Sequence, residues 1–203
     1  MSLVEVTIAM TILCIVASSA MVATRTGIGA YETTNQTSEL ENRLHRALDR
    51  TASELAAVIA DELQPNPTTE LGTSDLLFRS AVGLVGTQPQ PGEFVRLRRE
   101  YDPLELDDGL DNDGDGLVDE GMLVLLRDEG GIEHRVVLAN GVAEAFEGEA
   151  INGVDDNGNG VRDELGFNVH REGDVLFLRL CLQKATERDV VTRSLTTSIR
   201  LRN

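Results

Sequence analysis

The sequence predicts an α+β chain in which one long N-terminal helix packs on an antiparallel β-sheet head. Three observations carry that prediction. The first 24 residues hold one charged side chain, Glu5, and none from Val6 to Thr24. Leu40, Leu44, Leu48, Leu55, Ile59 and Leu63 then recur at spacings of three or four, or their sums, as on one helix face. From Asp75 onward, short β-type runs are separated by Gly, Asp and Asn. A helix followed by a run of strands is the order of an α+β fold.

The first element, residues 1–24, reads MSLVEVTIAMTILCIVASSAMVAT. Its 19 uncharged residues from Val6 to Thr24 would span roughly 28 Å as a helix, close to the hydrocarbon thickness of a bilayer. A carboxylate at the start of such a segment is costly unless something pairs with it. No Lys or Arg lies within the segment. The partner must then be an amine outside this chain's side chains, such as the N-terminal amine of a neighbouring subunit. A secretory signal peptide, with Ser18-Ser19-Ala20 as its cleavage site, would need a basic region where Glu5 stands. A plain membrane anchor fits the length and leaves Glu5 unexplained.

Residues 25–64 continue the helix. Arg25, Gly27 and Gly29 make the segment polar, and Tyr31 lies at an interface position. Ser38-Glu39-Leu40-Glu41 has the capping-box pattern, which predicts a restart after a looser stretch over 27–37. Ala47, Ala52 and Ala56 flank the leucine stripe, and Pro65 and Pro67 end it. The stripe is expected to pack on the sheet. Residues 65–203 form the head, with strands expected over 76–82, 93–101, 122–127, 133–138, 167–170, 175–182 and 190–201. Glu93-Phe94-Val95-Arg96-Leu97-Arg98 alternates cleanly.

With 35 acidic against 18 basic residues, the net charge is −17. That excludes a nucleic-acid footprint and a polybasic lipid patch. Much of the acid lies in two short loops, which calls for a local counter-ion. Cys14 and Cys181 are too differently placed for a disulfide, and each is expected as a small buried hydrophobe. His45, His134 and His170 are scattered and read as surface or packing residues. No nucleophile elbow, P-loop or dinucleotide fingerprint occurs, so an enzyme is not expected.

Met1-Ser2-Leu3-Val4-Glu5-Val6, continued by Thr7-Ile8-Ala9-Met10, resembles the N-terminus of mature type IV pilins and type II secretion pseudopilins. The resemblance covers about the first 25 residues. It implies the pilin fold, with the first half of the helix spanning the membrane. It also implies a chain that starts where a short basic leader ending in Gly is cut, and a methylated Met1. Glu5 would pair with the N-terminal amine of an adjacent subunit during assembly. Major pilins commonly carry Gly at position 14 and Pro at 22, and often a C-terminal disulfide; here Cys14 and Val22 stand instead. The chain is most similar to W-type minor pilins or J-type minor pseudopilins, with a major pilin as a further alternative. Such a subunit primes assembly or sits in a filament-tip complex. Its implied partners are other minor and major pilins or pseudopilins, a tip adhesin, and the inner membrane before assembly. Its head would be extracytoplasmic, then periplasmic or on a cell-surface filament. The alternative from another class is a membrane-anchored calcium-binding adhesion module outside any filament.

The two acidic loops, 107–120 and 152–164, are near copies 44 positions apart. Asp111, Asp113 and Asp115 in the first, and Asp155, Asn157 and Asn159 in the second, place oxygens at every second position with Gly between. Such a loop curls its oxygens toward one point, which suits Ca²⁺ with its six to eight oxygen ligands. Gly114, Gly116, Gly158 and Gly160 permit the positive φ this needs. Leu117 and Val161 would anchor the loops and offer carbonyls. The pattern is similar to the calcium loops of EF-hands, dockerins and thrombospondin type 3 repeats. An EF-hand would need Glu where Met122 and Gly166 stand, so Asp119 with Glu120, and Asp163 with Glu164, must complete the shells. Loop one offers more carboxylates and should bind more tightly, so one or two ions are expected. The competing reading is a metal-free turn held by its own side-chain hydrogen bonds.

Overall fold

A computed structural model describes residues 2–86, 88–129, 132–186 and 189–201. Met1, expected to supply the assembly amine, lies outside the described residues. The chain divides into two compact units, Met1–Glu39 and Leu40–Asn203.

The first unit consists of the start of helix α1, Leu3–Leu55. Ser2 and Glu5 form a reciprocal cap: the Ser2 N–H donates to Glu5 Oε2 at 2.7 Å, and the Glu5 N–H to Ser2 Oγ at 3.4 Å. The capping box is therefore here and not at Ser38, which lies inside the helix. Hydroxyls of Thr7, Thr11, Ser18, Ser19 and Thr24 donate back to carbonyls three or four residues earlier. These bonds satisfy the polar groups an apolar environment would otherwise penalise. The most apolar 18-residue stretch has a mean hydropathy of 2.2 and none of it is buried. Its length and composition are consistent with a membrane anchor or a signal sequence.

The looser stretch expected over 27–37 is absent, because α1 is continuous there. A helical Gly costs about 1 kcal/mol relative to Ala. Two glycines do not outweigh propagation from long flanks on either side.

In the second unit, Leu40, Leu44, Ala47, Leu48, Thr51 and Leu55 form one buried face of α1. Thr51 is tolerated there because its hydroxyl donates to the Ala47 carbonyl at 2.8 Å. This face packs in one core with residues of seven antiparallel strands. The strands are β1 (Asp75–Val85), β2 (Gln88–Tyr101), β3 (Gly121–Glu129), β4 (Ile132–Val142), β5 (Phe167–Glu172), β6 (Val175–Ala185) and β7 (Val190–Arg200). All seven expected strands are present. Leu76, Phe78, Leu97, Leu123, Leu125, Phe167, Val169, Leu176 and Leu178 supply the sheet's side of the core. An ion pair from Arg127 on β3 to Glu54 ties the end of α1 to the sheet.

The helix was expected to run to residue 64, and it ends at Leu55. Residues 57–64 instead give their backbone to the edge of β1. The Ala57 carbonyl accepts from Ala81, Ile59 donates to Arg79, and Gln64 exchanges both bonds with Leu77 at 2.7 and 2.8 Å. Only a three-residue 3-10 turn, Ala60–Glu62, remains helical. An open sheet edge offers partners that a helix end lacks, so Ile59 and Leu63 leave the helical stripe.

The sheet order is β1-β2-β3-β4-β6-β5, with β7 on the other edge of β6. β6 is the hub: β5 pairs along 175–180, the last residue of β4 continues that edge at Val142–Leu182, and β7 covers the opposite edge. Gly166 sits at this crossing, where a Cβ would lie 2.0 Å from the Ala143 carbonyl oxygen. The two acidic loops join β2 to β3 and β4 to β5.

Cys14 and Cys181 are both free, and Cys181 alone is buried. Burial, with the charge of Glu147 adding to it, pushes the Cys181 thiol up to about 12 from an ordinary 9.0. The thiolate is the reacting form, so in a Cys14→Ala background the folded head should alkylate about a thousandfold more slowly at pH 8 than the unfolded chain. Maleimide labelling with and without denaturant measures this. Leu44→Ala should cost about 2–5 kcal/mol, read from the denaturant midpoint.

Candidate metal centre

Each loop is a hairpin insertion closed at its base in the same way. The Asp102 N–H donates to the Glu120 carbonyl at 3.1 Å, and the Phe146 N–H to the Glu164 carbonyl at 2.8 Å. Glu105 and Glu149 follow with identical backbone bonds to Asp102 and Phe146, both 2.9 Å. The structural repeat therefore covers 102–120 and 146–164, longer than the sequence motif alone.

Within loop one, Asp111 accepts from the N–H groups of Gly114 and Gly116 at 2.6 and 3.0 Å. Asp113 accepts from Asp115 at 2.9 Å, and Asp115 from Leu117 at 2.8 Å. These bonds curl the chain so that Asp111, Asp113 and Asp115 bring carboxylate oxygens within 4.8 Å of one another. Gly114 and Gly116 have φ of 79° and 92°, where a Cβ would be strained. The Leu117 side chain is buried and anchors the loop.

Asp119 does other work. At φ 49° it turns its carboxylate back to accept from Asp108 and Gly109 at 3.1 and 2.9 Å, closing the loop outside the carboxylate clusters. Glu120 lies in a second cluster with Glu105 and Asp113, again with oxygens within 4.8 Å. Glu105 was not anticipated. Its Oε1 accepts from the N–H groups of Asn112 and Asp113, at 2.9 and 3.0 Å. The signal was in the sequence: Glu105 and Glu149 share the spacing of 44 with the rest of the repeat.

Glu105 and Glu120 are 5% and 4% exposed, and the Oε2 atom of each is buried without a hydrogen-bond partner. Burial pushes the Glu120 carboxyl up to about 7, and the charges of Asp115, Glu105 and Asp113 add to the shift. Two full charges within 4.8 Å of one another repel by at least about 3 kcal/mol at an effective dielectric of 20, more than a typical net hydrogen bond contributes. Backbone hydrogen bonds alone therefore do not offset this crowding. These carboxylates could hold a hard divalent cation, which would offset it.

Loop two repeats the backbone. Asp155 accepts from Gly158, Asn159 and Gly160, at 2.6, 3.1 and 2.8 Å. Asn157 accepts from Asn159 and Asn159 from Val161, while Asp163, at φ 53°, accepts from Asn152 and Gly153. Glu149 takes the place of Glu105, accepting from Asp156 and Asn157 at 3.0 and 2.9 Å. Glu164 is completely buried and pairs with Arg179. The two carboxylate clusters found among the described residues both belong to loop one.

The chain matches no protein-family model, no curated protein and no solved structure.

Excess chelator should lower the melting temperature of the full chain in detergent. Ca²⁺ at a hundredfold excess over its dissociation constant should raise it by roughly 5–10 °C. Glu120→Gln should raise the melting temperature of the chelator-treated chain, because a buried charge is replaced by an amide that donates to its acidic neighbours. The same change should abolish the response to Ca²⁺. Scanning calorimetry reads both, and equal Ca²⁺ responses in the two chains would count against the site.

Proposed function

We propose that this chain is a minor pilin or pseudopilin subunit of a type IV pilus or type II secretion filament, acting by assembly and not by catalysis. One observation carries the reading: a membrane-length uncharged helix, opened by a single carboxylate, runs without a break into the residues that pack on an antiparallel sheet. The apolar segment holds the subunit in the inner membrane until it moves into a bundle of like helices. Glu5 is neutralised there by the N-terminal amine of a neighbour, because a lone carboxylate in such surroundings is costly. The neighbours are other pilins or pseudopilins, and the subunit primes assembly or joins the tip complex. The head is extracytoplasmic, where Ca²⁺ is abundant enough to fill loop one even at modest affinity. Its ligands are Glu105, Asp111, Asp113, Asp115 and Glu120.

A second reading has its own support. The Ser2–Glu5 cap gives Glu5 a use that needs no neighbour, as a membrane-anchored calcium-binding adhesion module would require. Two substitutions separate the readings. Ser2→Ala weakens the cap and keeps the carboxylate, so incorporation into filaments should be retained. Glu5→Ala removes the pairing charge and should lower incorporation at least about tenfold, for a lost contact of about 1.4 kcal/mol or more. Quantifying the subunit in sheared filaments decides between them: absence of the unmutated chain from the filaments would favour the anchored module, and normal incorporation of Glu5→Ala would count against the pairing role of Glu5. Mass spectrometry of the native N-terminus should find a methylated Met1.

A further inference from the structure

The two loops share a backbone and meet the same electrostatic demand with different charges. Glu164 corresponds to Glu120, and it is the more deeply buried of the two. One of its oxygens pairs with the Arg179 guanidinium, delivered from β6 at the position paired with Asn168 of β5 and Thr196 of β7. The other accepts from the side-chain amides of Asn159 and Asn157, the latter at 3.5 Å. At the matching places in loop one stand Asp115 and Asp113, which have no N–H to offer, and Glu120 Oε2 has no partner. Arg99 of β2, which reaches loop one, serves other groups. Its Nη2 donates to the Asp119 carbonyl at 2.6 Å, and its guanidinium lies 4.5 Å over the Tyr101 ring.

We propose that Arg179 is a built-in cation for loop two, so that this loop binds no divalent ion while the guanidinium is in place. Asp155, Asn157, Asn159 and Glu164 form a latent site for a hard divalent cation, which opens when Arg179 is removed. The physical basis is substitution of one counter-charge by another. A planar guanidinium satisfies a buried carboxylate with directed hydrogen bonds. Two Asp-to-Asn differences turn repelling neighbours into donors aimed at the same carboxylate. The head then carries one ion, in loop one, and loop two stays closed whether or not Ca²⁺ is present.

This inference rests on the calcium-type reading of the loops, and isothermal titration of the full chain in detergent with Ca²⁺ tests the two separately. The parent chain should bind one ion, Glu120→Gln none and Glu164→Gln one. Arg179→Met should bind one more ion than the parent. An Arg179→Met chain that folds and gains no ion overturns the proposal, as does loss of an ion on Glu164→Gln. A parent chain that binds no ion defeats the calcium reading of loop one, while the gain or absence of an ion in Arg179→Met still decides loop two. Hydrogen exchange of the unmutated chain supplies a measurement independent of any variant's folding. Excess chelator should speed amide exchange over 105–120 and leave 149–164 unchanged; faster exchange in both loops overturns the proposal.

Discussion

The head depends on one contact: the leucine face of α1 from Leu40 to Leu55 against the inner face of the sheet. Each fully buried leucine contributes about 2 kcal/mol, and Leu40, Leu44, Leu48 and Leu55 are all at most 1% exposed. Strands without this cover would leave Phe78, Phe167 and their neighbours open to water. The same packing explains the end of the helix. Beyond Leu55 the backbone gains more from hydrogen bonds to the edge of β1 than from another helical turn, and the Leu77–Ala81 part of that edge is then covered.

The loops follow from where the sheet ends. Each is a hairpin insertion clamped at its base by the carbonyl of a buried glutamate, Glu120 or Glu164. Burying that residue keeps the base narrow but leaves a carboxylate in poor solvent, where it is stabilised by a counter-charge, by donated hydrogen bonds or by taking up a proton. Loop one surrounds its glutamate with more acid, a set of oxygens that could hold a cation. Loop two surrounds its own with an arginine and two amides. Similar spacing thus supports two solutions, and the choice lies in Asp113 and Asp115 against Asn157 and Asn159, together with a side chain from a distant strand.

The N-terminal helix poses a related problem in its apolar segment. The hydroxyls of Thr7, Thr11, Ser18, Ser19 and Thr24 are returned to helical carbonyls and that of Ser2 accepts from the Glu5 N–H, leaving Glu5 as the single carboxylate in the first two dozen residues. In the isolated chain one oxygen of Glu5 caps the Ser2 N–H. That local cap does not exclude the intersubunit pairing proposed above.

Much of this was decided by local pattern. The uncharged run, the three-and-four spacing of the leucines and the alternation of seven strands are properties of neighbouring residues, and periodicity reads them directly. So is the curl of the loops, because Asp or Asn at alternate positions bonds the backbone two or three residues on whatever the surroundings. The serine-to-glutamate cap at the start of α1 was equally local. The pattern alone does not locate a helix start, because Ser38 to Glu41 carries it within a helix that never breaks. What only the tertiary structure decided involves partners far apart in the chain. The capture of 57–64 by β1 required a free sheet edge, and the burial of Glu105 and Glu120 required the hairpin base to fold over them. The neutralisation of Glu164 required β6 to carry Arg179 beneath loop two. Charge compensation acts through space, and spacing along a sequence does not report which distant side chain arrives.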